Sequence, residues 1–136
     1  MNQPALAKRL QSAGIGPTSQ RLRIAEVLLS TPRHLSADQV LAEVNHTAAA
    51  VSKATVYNTL RLFSERGLVR EIVVNPDRVF YDSSPTPHHH FYNADTGELT
   101  DIPAETVTVS GLPPSPEGTE PEQVEVIVRI RQHASA

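Results

Sequence analysis

Histidines and carboxylates near the middle of the chain have the types and spacing of a metal site. Three of the six histidines are consecutive. In a strand, His88 and His90 share one face, and His89 points to the other. Asp101 follows across a turn at Gly97. Two imidazoles and a carboxylate form a nitrogen and oxygen donor set that suits divalent first-row metals, so this segment predicts a metal-binding pair of strands.

Two further donors lie outside the triplet. Asp82 precedes His88 by six residues, at the end of a predicted strand, and His34 lies between two predicted helices. A site that used both would cross-link the two halves of the chain, so that metal binding could bias a second function. Each residue alone is typical of an ordinary position, and His46 and His133 are expected to be surface residues without a ligand role. The full candidate ligand set is His34, Asp82, His88, His90 and Asp101.

Charge divides the chain into two unlike halves. Residues 1–70 carry nine Lys/Arg against four Asp/Glu, a net charge of +5, whereas residues 71–136 carry three against eleven, a net charge of −8. A basic half can neutralise the phosphates of DNA and release counterions. The chain has no cysteine, which excludes disulfides and thiolate chemistry, and no apolar run of membrane-spanning length. We therefore expect a cytoplasmic protein without membrane contact.

The basic half has the pattern of a winged helix-turn-helix domain. Helices are predicted over residues 2–13, 18–29, 36–44 and 52–66, with a turn over 45–51. Thr18, Ser36 and Ser52 are the expected N-caps. Two strands of a hairpin are then predicted over residues 68–74 and 79–82. Helices followed by such a hairpin are typical of DNA-binding winged helices.

The predicted helix 52–66 has one face suited to the core and another suited to DNA. Val56, Leu60 and Phe63 recur at helical spacing and are expected to pack inward. On the other face, Lys or Arg can bind phosphate or guanine, Asn can bind adenine, and a Tyr ring can contact a thymine methyl. A solvated amphipathic helix is the alternative, and the hairpin that follows favours DNA. The candidate DNA-binding residues are Thr18, Arg21, Ser52, Lys53, Thr55, Tyr57, Asn58 and Arg61.

The acidic half predicts a small sheet. Strands are predicted over residues 88–93, 98–102 and 124–130. Three strands with an apolar face are marginally stable alone, so we expect a homodimer; a tetramer stays open. The predicted fold class is α+β: a winged helix-turn-helix domain (1–82), a hinge (83–87), and a small α/β dimerisation and sensing domain, mainly a three-stranded antiparallel sheet (88–136).

These motifs together resemble the ferric uptake regulator (Fur) superfamily over roughly residues 10–131. The resemblance rests on Gly16-Pro17-Thr18, His34-Leu35-Ser36-Ala37, Ala54-Thr55-Val56-Tyr57-Asn58, Gly67-Leu68-Val69 and His88-His89-His90. Within the superfamily, the iron response regulator (Irr) branch is similar in its histidine triplet with Phe91-Tyr92, in Leu99-Thr100-Asp101-Ile102-Pro103, and in its proline-rich tail with the strand after it.

The resemblance implies a dimeric repressor that binds an AT-rich inverted repeat of double-stranded DNA and controls iron and haem genes. It implies the five-residue ligand set above for sensing, with Fe(II) or Mn(II) as the ion and Zn(II) as a substitute in vitro. The Irr branch further implies haem at His88, His89 and His90, with a haem-synthesis enzyme as haem donor. The peroxide-sensing branch is the alternative: it has the same ligand spacing, and bound Fe(II) oxidises a ligand histidine such as His34 or His88.

Several departures from the family pattern limit what carries over. Asn93 and Thr96 occupy the positions of a Cys-x-x-Cys pair, so no structural four-cysteine zinc site can form, and the Cys-Pro haem motif is absent. Gly16 and Ser19 stand where basic residues are common in the family, and Pro87 takes the place of a possible ligand in the family's further histidine-rich site. Two other classes of protein are alternatives to a regulator. A small metalloenzyme lacks a general base or nucleophile beside the donors, so no enzymatic activity is predicted, and a structural dimer would bind nothing at its histidines.

Overall fold

The chain forms two units, Met1–Pro85 and Thr86–Ala136, in a computed structural model that describes residues 2–46 and 51–134. These are called the first unit and the second unit. The assignment of residues 83–87 as a hinge, and of functional domains to either side of it, stays a prediction. Among the described helices, none combines the length and the apolar character that crossing a bilayer requires.

Four helices in the first unit begin at capping side chains. They are α1 (Gln3–Ser12), α2 (Ser19–Leu29), α3 (Ala37–Val44) and α4 (Lys53–Glu65). Thr18, Ser36 and Ser52 each accept a hydrogen bond from the backbone N–H three residues later, which confirms the three predicted caps. The predicted turn over 45–51 lies largely outside the described residues, because 47–50 are not described.

A three-stranded antiparallel sheet completes the first unit. Its strands are β1 (His34–Ser36), β2 (Arg70–Asn75) and β3 (Arg78–Asp82), in the order β1-β3-β2. β2 and β3 form the predicted hairpin, with a register shift between Val73 and Asn75. The strand β1 corrects one prediction. His34 was predicted to lie in a connection between helices, but it lies in a strand that pairs with the end of β3. Three residues are too few to show a periodicity, so β1 could not be predicted from its pattern.

The core of the first unit runs through all four helices. Val56, Leu60 and Phe63 of α4 have 0% exposure, which confirms the predicted inward face. Burial of a side chain as large as phenylalanine stabilises a fold by roughly 1.5–3 kcal/mol. The opposite face of α4 is therefore held at the surface by a rigid support. Other members of the core cluster are Leu6, Leu10, Ile24, Leu28, Val40 and Val44.

The second unit is built on a small mixed sheet. Its strands are β4 (His89–Asn93), β5 (Leu99–Ile102) and β6 (Ile127–Ile130), in the order β5-β4-β6. β4 pairs antiparallel with β5 but parallel with β6, which corrects the expectation of a mainly antiparallel sheet. The connection over residues 103–126 is long enough for the crossover that a parallel pair requires. Alternation along a strand indicates which face is buried and carries no information on the direction of its neighbour.

The second unit leaves apolar side chains exposed. β6 was predicted to begin at residue 124 and to be half-buried, yet it begins at Ile127, and Val128 and Ile130 are 38% and 37% exposed. Phe91 pairs with Val128 in register and is 37% exposed. Exposed apolar patches mark interaction surfaces, so this face is a candidate surface for dimerisation. The dimer itself stays a prediction.

Candidate functional site

One candidate ligand pair lies in the first unit, at the edge of its sheet. The register of β1 and β3 places His34 opposite Asp82, and a ring nitrogen of His34 lies within 4.8 Å of a carboxylate oxygen of Asp82. Asp82 is only 2% exposed, and a buried carboxylate needs compensating hydrogen bonds or a cation. The backbone N–H of Ser84 donates one such bond to Asp82 Oδ1 at 2.7 Å. The edge of the sheet thus holds a nitrogen and an oxygen donor side by side.

Ser83 fixes the position of this pair. Its backbone N–H donates to the carbonyl oxygen of Arg33 at 2.9 Å, and its hydroxyl lies 3.2 Å from the carbonyl oxygens of Thr31 and Arg33. These bonds tie the residues before β1 to the residue after β3. The ring of Phe80 meets the ring of His34 edge-on, with 6.1 Å between centroids, and so orients the imidazole.

A second candidate ligand group lies in the second unit. The register of β4 and β5 places His90 opposite Asp101. Nε2 of His88 and Nε2 of His90 lie 3.1 and 3.3 Å from the same Asp101 Oδ1, with 4.6 Å between the ring centroids. His88 and His90 therefore point together, as the sequence predicted. His90 is buried, whereas the Asp101 side chain is 52% exposed, so the group is open to solvent on its carboxylate side.

The surroundings of the His88 ring suit a metal ligand. Its Nδ1 lies 3.1 Å from the carbonyl oxygen of Thr86. When Nδ1 donates its proton to this carbonyl oxygen, Nε2, which faces Asp101, is the ring nitrogen left to bind a metal. Metal-bound histidines commonly donate their other ring N–H in this way, which fixes the ring and raises its basicity.

His89 has a different role from its two neighbours. The backbone N–H of Val126 donates to His89 Nδ1 at 2.9 Å, so this ring links the residues before β6 to β4. It lies on the face opposite to His88 and His90, as predicted. His46 and His133 are exposed, in agreement with their expected surface positions.

Both ligand groups offer nitrogen and oxygen donors only. Imidazole and carboxylate together suit Fe(II), Mn(II) and Zn(II), and the chain has no thiolate that would select a softer ion. The first unit supplies two such donors and the second supplies three. Four is the usual minimum for a protein site, so neither group alone completes a coordination sphere without water or further ligands.

The exposed face of α4 carries the side chains that the sequence predicted for DNA. Lys53, Tyr57, Asn58 and Arg61, here called the DNA face, are all exposed, on the side of the helix away from its buried residues. The ammonium of Lys53 lies 5.6 Å from the centroid of the Tyr57 ring, within range of a cation–π interaction. Contact of this face with DNA stays a prediction.

The other four predicted DNA residues have intramolecular roles. Thr18 Oγ1 accepts from the backbone N–H of Arg21 at 3.2 Å, and the Arg21 guanidinium donates to the carbonyl oxygen of Gly16 at 3.0 Å. Ser52 Oγ accepts from the N–H of Thr55 at 3.1 Å and donates to Thr55 Oγ1 at 2.9 Å. These side chains cap the starts of α2 and α4, where backbone N–H groups favour a phosphate.

Asp38 contacts the DNA face and was missed in the sequence. The Tyr57 hydroxyl donates to Asp38 Oδ1 at 3.1 Å. Partial burial and then this hydrogen bond raise the pKa of Tyr57 above its ordinary value, so the phenol stays protonated at neutral pH. Asp38 lies in the first turn of α3, where an acid is expected for the helix dipole alone. Nothing in its sequence spacing marked a contact with α4.

Comparison with known proteins identifies a family. The model of the Ferric uptake regulator family matches residues 12–127 of the chain. A curated relative, the peroxide-responsive repressor PerR of Staphylococcus aureus (strain Mu50), is 32% identical over 93 residues, which cover 68% of this chain and 63% of the relative. The matched segment thus spans less than two thirds of the length of that relative.

Solved structures share the fold. The ferric uptake regulator of Pseudomonas aeruginosa with manganese has a TM-score of 0.71 and 24% identity, and the match covers 98% of this chain and 100% of that one. The Vibrio cholerae ferric uptake regulator has a TM-score of 0.72 and 20% identity, with coverage of 93% and 98%. The predicted α+β class with an N-terminal winged helix is confirmed by these likenesses.

Proposed function

The chain belongs to the ferric uptake regulator family, and from that membership we propose that it is a metal-responsive repressor that binds a DNA operator as a dimer. The family is one of regulators and not of enzymes, which agrees with the expectation from sequence. The observation that carries the proposal is the DNA face, in which two cations, a tyrosine and an asparagine stand exposed on a helix whose other side is core. The basic charge of residues 1–70 supports phosphate binding.

The proposed sensor site uses ligands from both units on one divalent ion. Each unit provides an incomplete donor group, and only the five residues 83–87 separate Asp82 from His88 in the chain. Fe(II) or Mn(II) is the proposed ion, with Zn(II) as a substitute in vitro, and the P. aeruginosa relative was solved with manganese. The proposed ligands are His34, Asp82, His88, His90 and Asp101.

Metal binding through two units gives a route to regulation. If residues 83–87 are a hinge, a shared ion restrains the first unit relative to the second. In a dimer, this restraint sets how the two DNA faces are spaced, and an inverted repeat selects one spacing. A metal can shift this equilibrium only by binding one arrangement more tightly than the other.

We propose that the signal to which the repressor responds is peroxide. The curated relative that aligns with 68% of this chain is a peroxide-responsive repressor, and this favours the peroxide-sensing alternative over the iron response regulator assignment. Fe(II) held at this site would activate peroxide, so that one peroxide oxygen is added to a ligand histidine, which is oxidised, and the other leaves as water. His34 and His88 are the proposed ligands that gain an oxygen atom. A haem response would rest on the resemblance to the iron response regulator branch, and Nδ1 of His89 already accepts a hydrogen bond from the backbone N–H of Val126.

The repressor function is tested by DNA binding. Duplexes that the Mn(II)-loaded protein selects from a random pool should contain an AT-rich inverted repeat. In an electrophoretic shift assay, affinity for the selected duplex should differ between the metal-free and the Mn(II)-loaded protein. A protein that enriches no sequence in either state contradicts the proposal. A haem arm in the same assay, with its absorption spectrum, tests the haem response.

The shared metal site is tested by substitutions in each unit. Asp82→Asn and His90→Ala should each lower Mn(II) affinity at least ten-fold in a calorimetric titration, and His46→Ala, at an exposed histidine, should leave it unchanged. Because Asp82 and His90 belong to different units, an effect of only one substitution contradicts a shared ion. The two substitutions therefore distinguish one ion shared by both units from an ion that is bound by a single ligand group.

The peroxide response is tested by mass spectrometry. Fe(II)-loaded protein treated with low peroxide should gain about 16 Da on a peptide that contains His34 or His88, the mass of one oxygen atom and the expected signature of a ligand oxidation. Mn(II)-loaded protein is the control and should not gain it. An unmodified Fe(II) protein that keeps its DNA affinity contradicts the peroxide response.

A further inference from the structure

The tyrosine of the DNA face is held by a residue of another helix. Tyr57 lies on α4, and its hydroxyl donates to Oδ1 of Asp38 on α3 at 3.1 Å. The two residues are 19 positions apart in the chain, so the contact depends on how α3 and α4 pack. Tyr57 is 37% exposed, and Asp38 is also exposed. The contact thus lies at the surface, where a DNA groove would approach.

A second contact restrains the same ring from its own helix. The ammonium of Lys53, one turn earlier on α4, lies 5.6 Å from the ring centroid. With the hydroxyl bound to Asp38 and a cation near the ring, Tyr57 has little rotational freedom left before DNA arrives. A side chain ordered in advance loses less conformational entropy on binding than a free one.

The contact also decides which part of Tyr57 is offered to DNA. The hydroxyl proton is engaged by a carboxylate, so it is not available to a phosphate oxygen, and the negative charge of Asp38 repels phosphates nearby. The ring remains available for an apolar contact, of which the thymine methyl is the partner in the major groove. We infer that Asp38 is a positioning residue that fixes Tyr57 for contact with a thymine methyl and thereby sets sequence preference.

This inference rests on the proposed DNA-binding function and names a determinant of its specificity. A purely structural role for Asp38 is the competing explanation, because an acid in the first turn of a helix stabilises it. Such a role would change the stability of the protein but not its preference between bases. The surroundings tolerate substitution, since Asp38 and Tyr57 line an open groove of about 470 Å³ that also contains Asp77 of the hairpin turn and Arg78, the first residue of β3.

The test compares thymine with deoxyuridine, which differs only by the missing methyl group. The operator is a duplex that the Mn(II)-loaded wild-type protein selects from a random pool, prepared with thymidine or with deoxyuridine throughout. We expect the wild-type Kd to rise about four-fold for each contacted methyl that is removed. In Asp38→Ala and in Tyr57→Phe, both of which free the ring, the ratio of the two Kd values should fall to within two-fold of one.

Two matched variants separate positioning from charge and from stability. Asp38→Asn keeps a side-chain oxygen that accepts the hydrogen bond from the Tyr57 hydroxyl, so it should retain the wild-type ratio while binding both duplexes more tightly. Asp77→Ala removes an acid from the same groove without touching Tyr57 and should also retain the ratio. Thermal unfolding of each variant, measured in parallel, identifies any that fail to fold. If Asp38→Ala does not fold, the ratios of Tyr57→Phe and Asp38→Asn test the inference in its place.

The outcomes distinguish this inference from the function on which it rests. A wild-type protein that enriches no duplex overturns both. A wild-type protein that binds its operator, with Asp38→Ala or Tyr57→Phe keeping the full thymine preference, overturns only the role of Asp38. Loss of the ratio in Asp77→Ala to the same extent would also overturn it, because the effect would then follow charge and not the hydrogen bond.

Discussion

The two units of the chain are stabilised in different ways. In the first unit, one hydrophobic cluster extends from Leu6 in α1 to Phe63 in α4 and on to Tyr81 in β3. In the second unit, the buried apolar side chains among the described residues are Tyr92, Leu99 and Ile102. Most of its other large apolar residues are exposed, including Phe91, and Ile127 is half-buried. One unit therefore carries its own core, and the other needs something to cover its sheet.

This difference matches the division of labour that we propose. A helix that contacts DNA must present its side chains in a fixed arrangement, and the continuous core beneath α4 provides that. A unit that responds to a ligand must have two states of similar free energy, and a small core favours this. The sheet of the second unit would gain its remaining stability from a second copy of the chain and from a bound ion.

The sharpest test of the comparison uses two phenylalanines. Phe63→Ala, at a position with 0% exposure, should lower the free energy of unfolding by about 3–5 kcal/mol because it leaves a cavity in a packed core. Phe91→Ala, at a position with 37% exposure, should lower it by no more than about 0.5 kcal/mol within one chain. Urea unfolding followed by circular dichroism at low protein concentration measures both.

The same pair of variants reports on self-association. Phe91→Ala should weaken dimerisation in analytical ultracentrifugation, since the exposed face of the second unit is the surface expected to pair. If Phe91→Ala destabilises the isolated chain as much as Phe63→Ala does, the second unit has a core of its own and the comparison is wrong.

The charge asymmetry between the units predicts the next largest effect. The double substitution Lys53→Glu with Arg61→Glu should weaken operator binding at least about 100-fold, because two phosphate or base contacts become repulsive. The matched control is Arg129→Glu with Arg131→Glu in the second unit, which changes net charge by the same amount. An electrophoretic shift assay at constant salt should show a much smaller loss for the control. Equal losses would mean that overall charge, and not the DNA face, governs affinity.

The fold of the first unit could be predicted because local signals agree with tertiary packing. Thr18, Ser36 and Ser52 are strong caps, and the spacing of apolar residues on α4 identifies its buried face. The strand β1 was missed because its three residues show no periodicity and its pairing with β3 joins positions that are far apart in the sequence. In the second unit, the turn at Gly97 predicted the β4–β5 pair, but nothing local indicated that β6 would lie parallel to β4.

The arrangement of the candidate ligands could be predicted where strand periodicity determined geometry. The same-face arrangement of His88 and His90 follows from alternation alone, and Asp101 from the turn that pairs the strands. Taken alone, Asp82 was predicted to be an ordinary surface acid. It is buried because it lies in the sheet that β1 completes. The contact of Asp38 with Tyr57 required the packing of α3 against α4, which no spacing in the chain encodes.

The smallest predicted effect concerns hydroxyls that cap local structure. Ser52→Ala removes the acceptor for the N–H of Thr55 at the start of α4 and should lower the free energy of unfolding by about 1 kcal/mol. Thr106→Ala removes a hydroxyl that donates to the carbonyl oxygen of Pro103 in an exposed turn of the second unit. Its effect should stay within about 0.5 kcal/mol.

The hydroxyl comparison also has a functional readout. The cap on α4 sets the first turn of the helix that carries Lys53, so Ser52→Ala should reduce operator affinity by a few-fold, and Ser52→Asn, which keeps a capping oxygen, should restore most of it. Thr106→Ala should leave operator affinity unchanged. If Ser52→Ala lowers stability but not affinity, the start of α4 does not take part in DNA contact. The proposed contribution of its backbone N–H groups to phosphate binding would then fail, whereas the exposed side chains of the DNA face would remain.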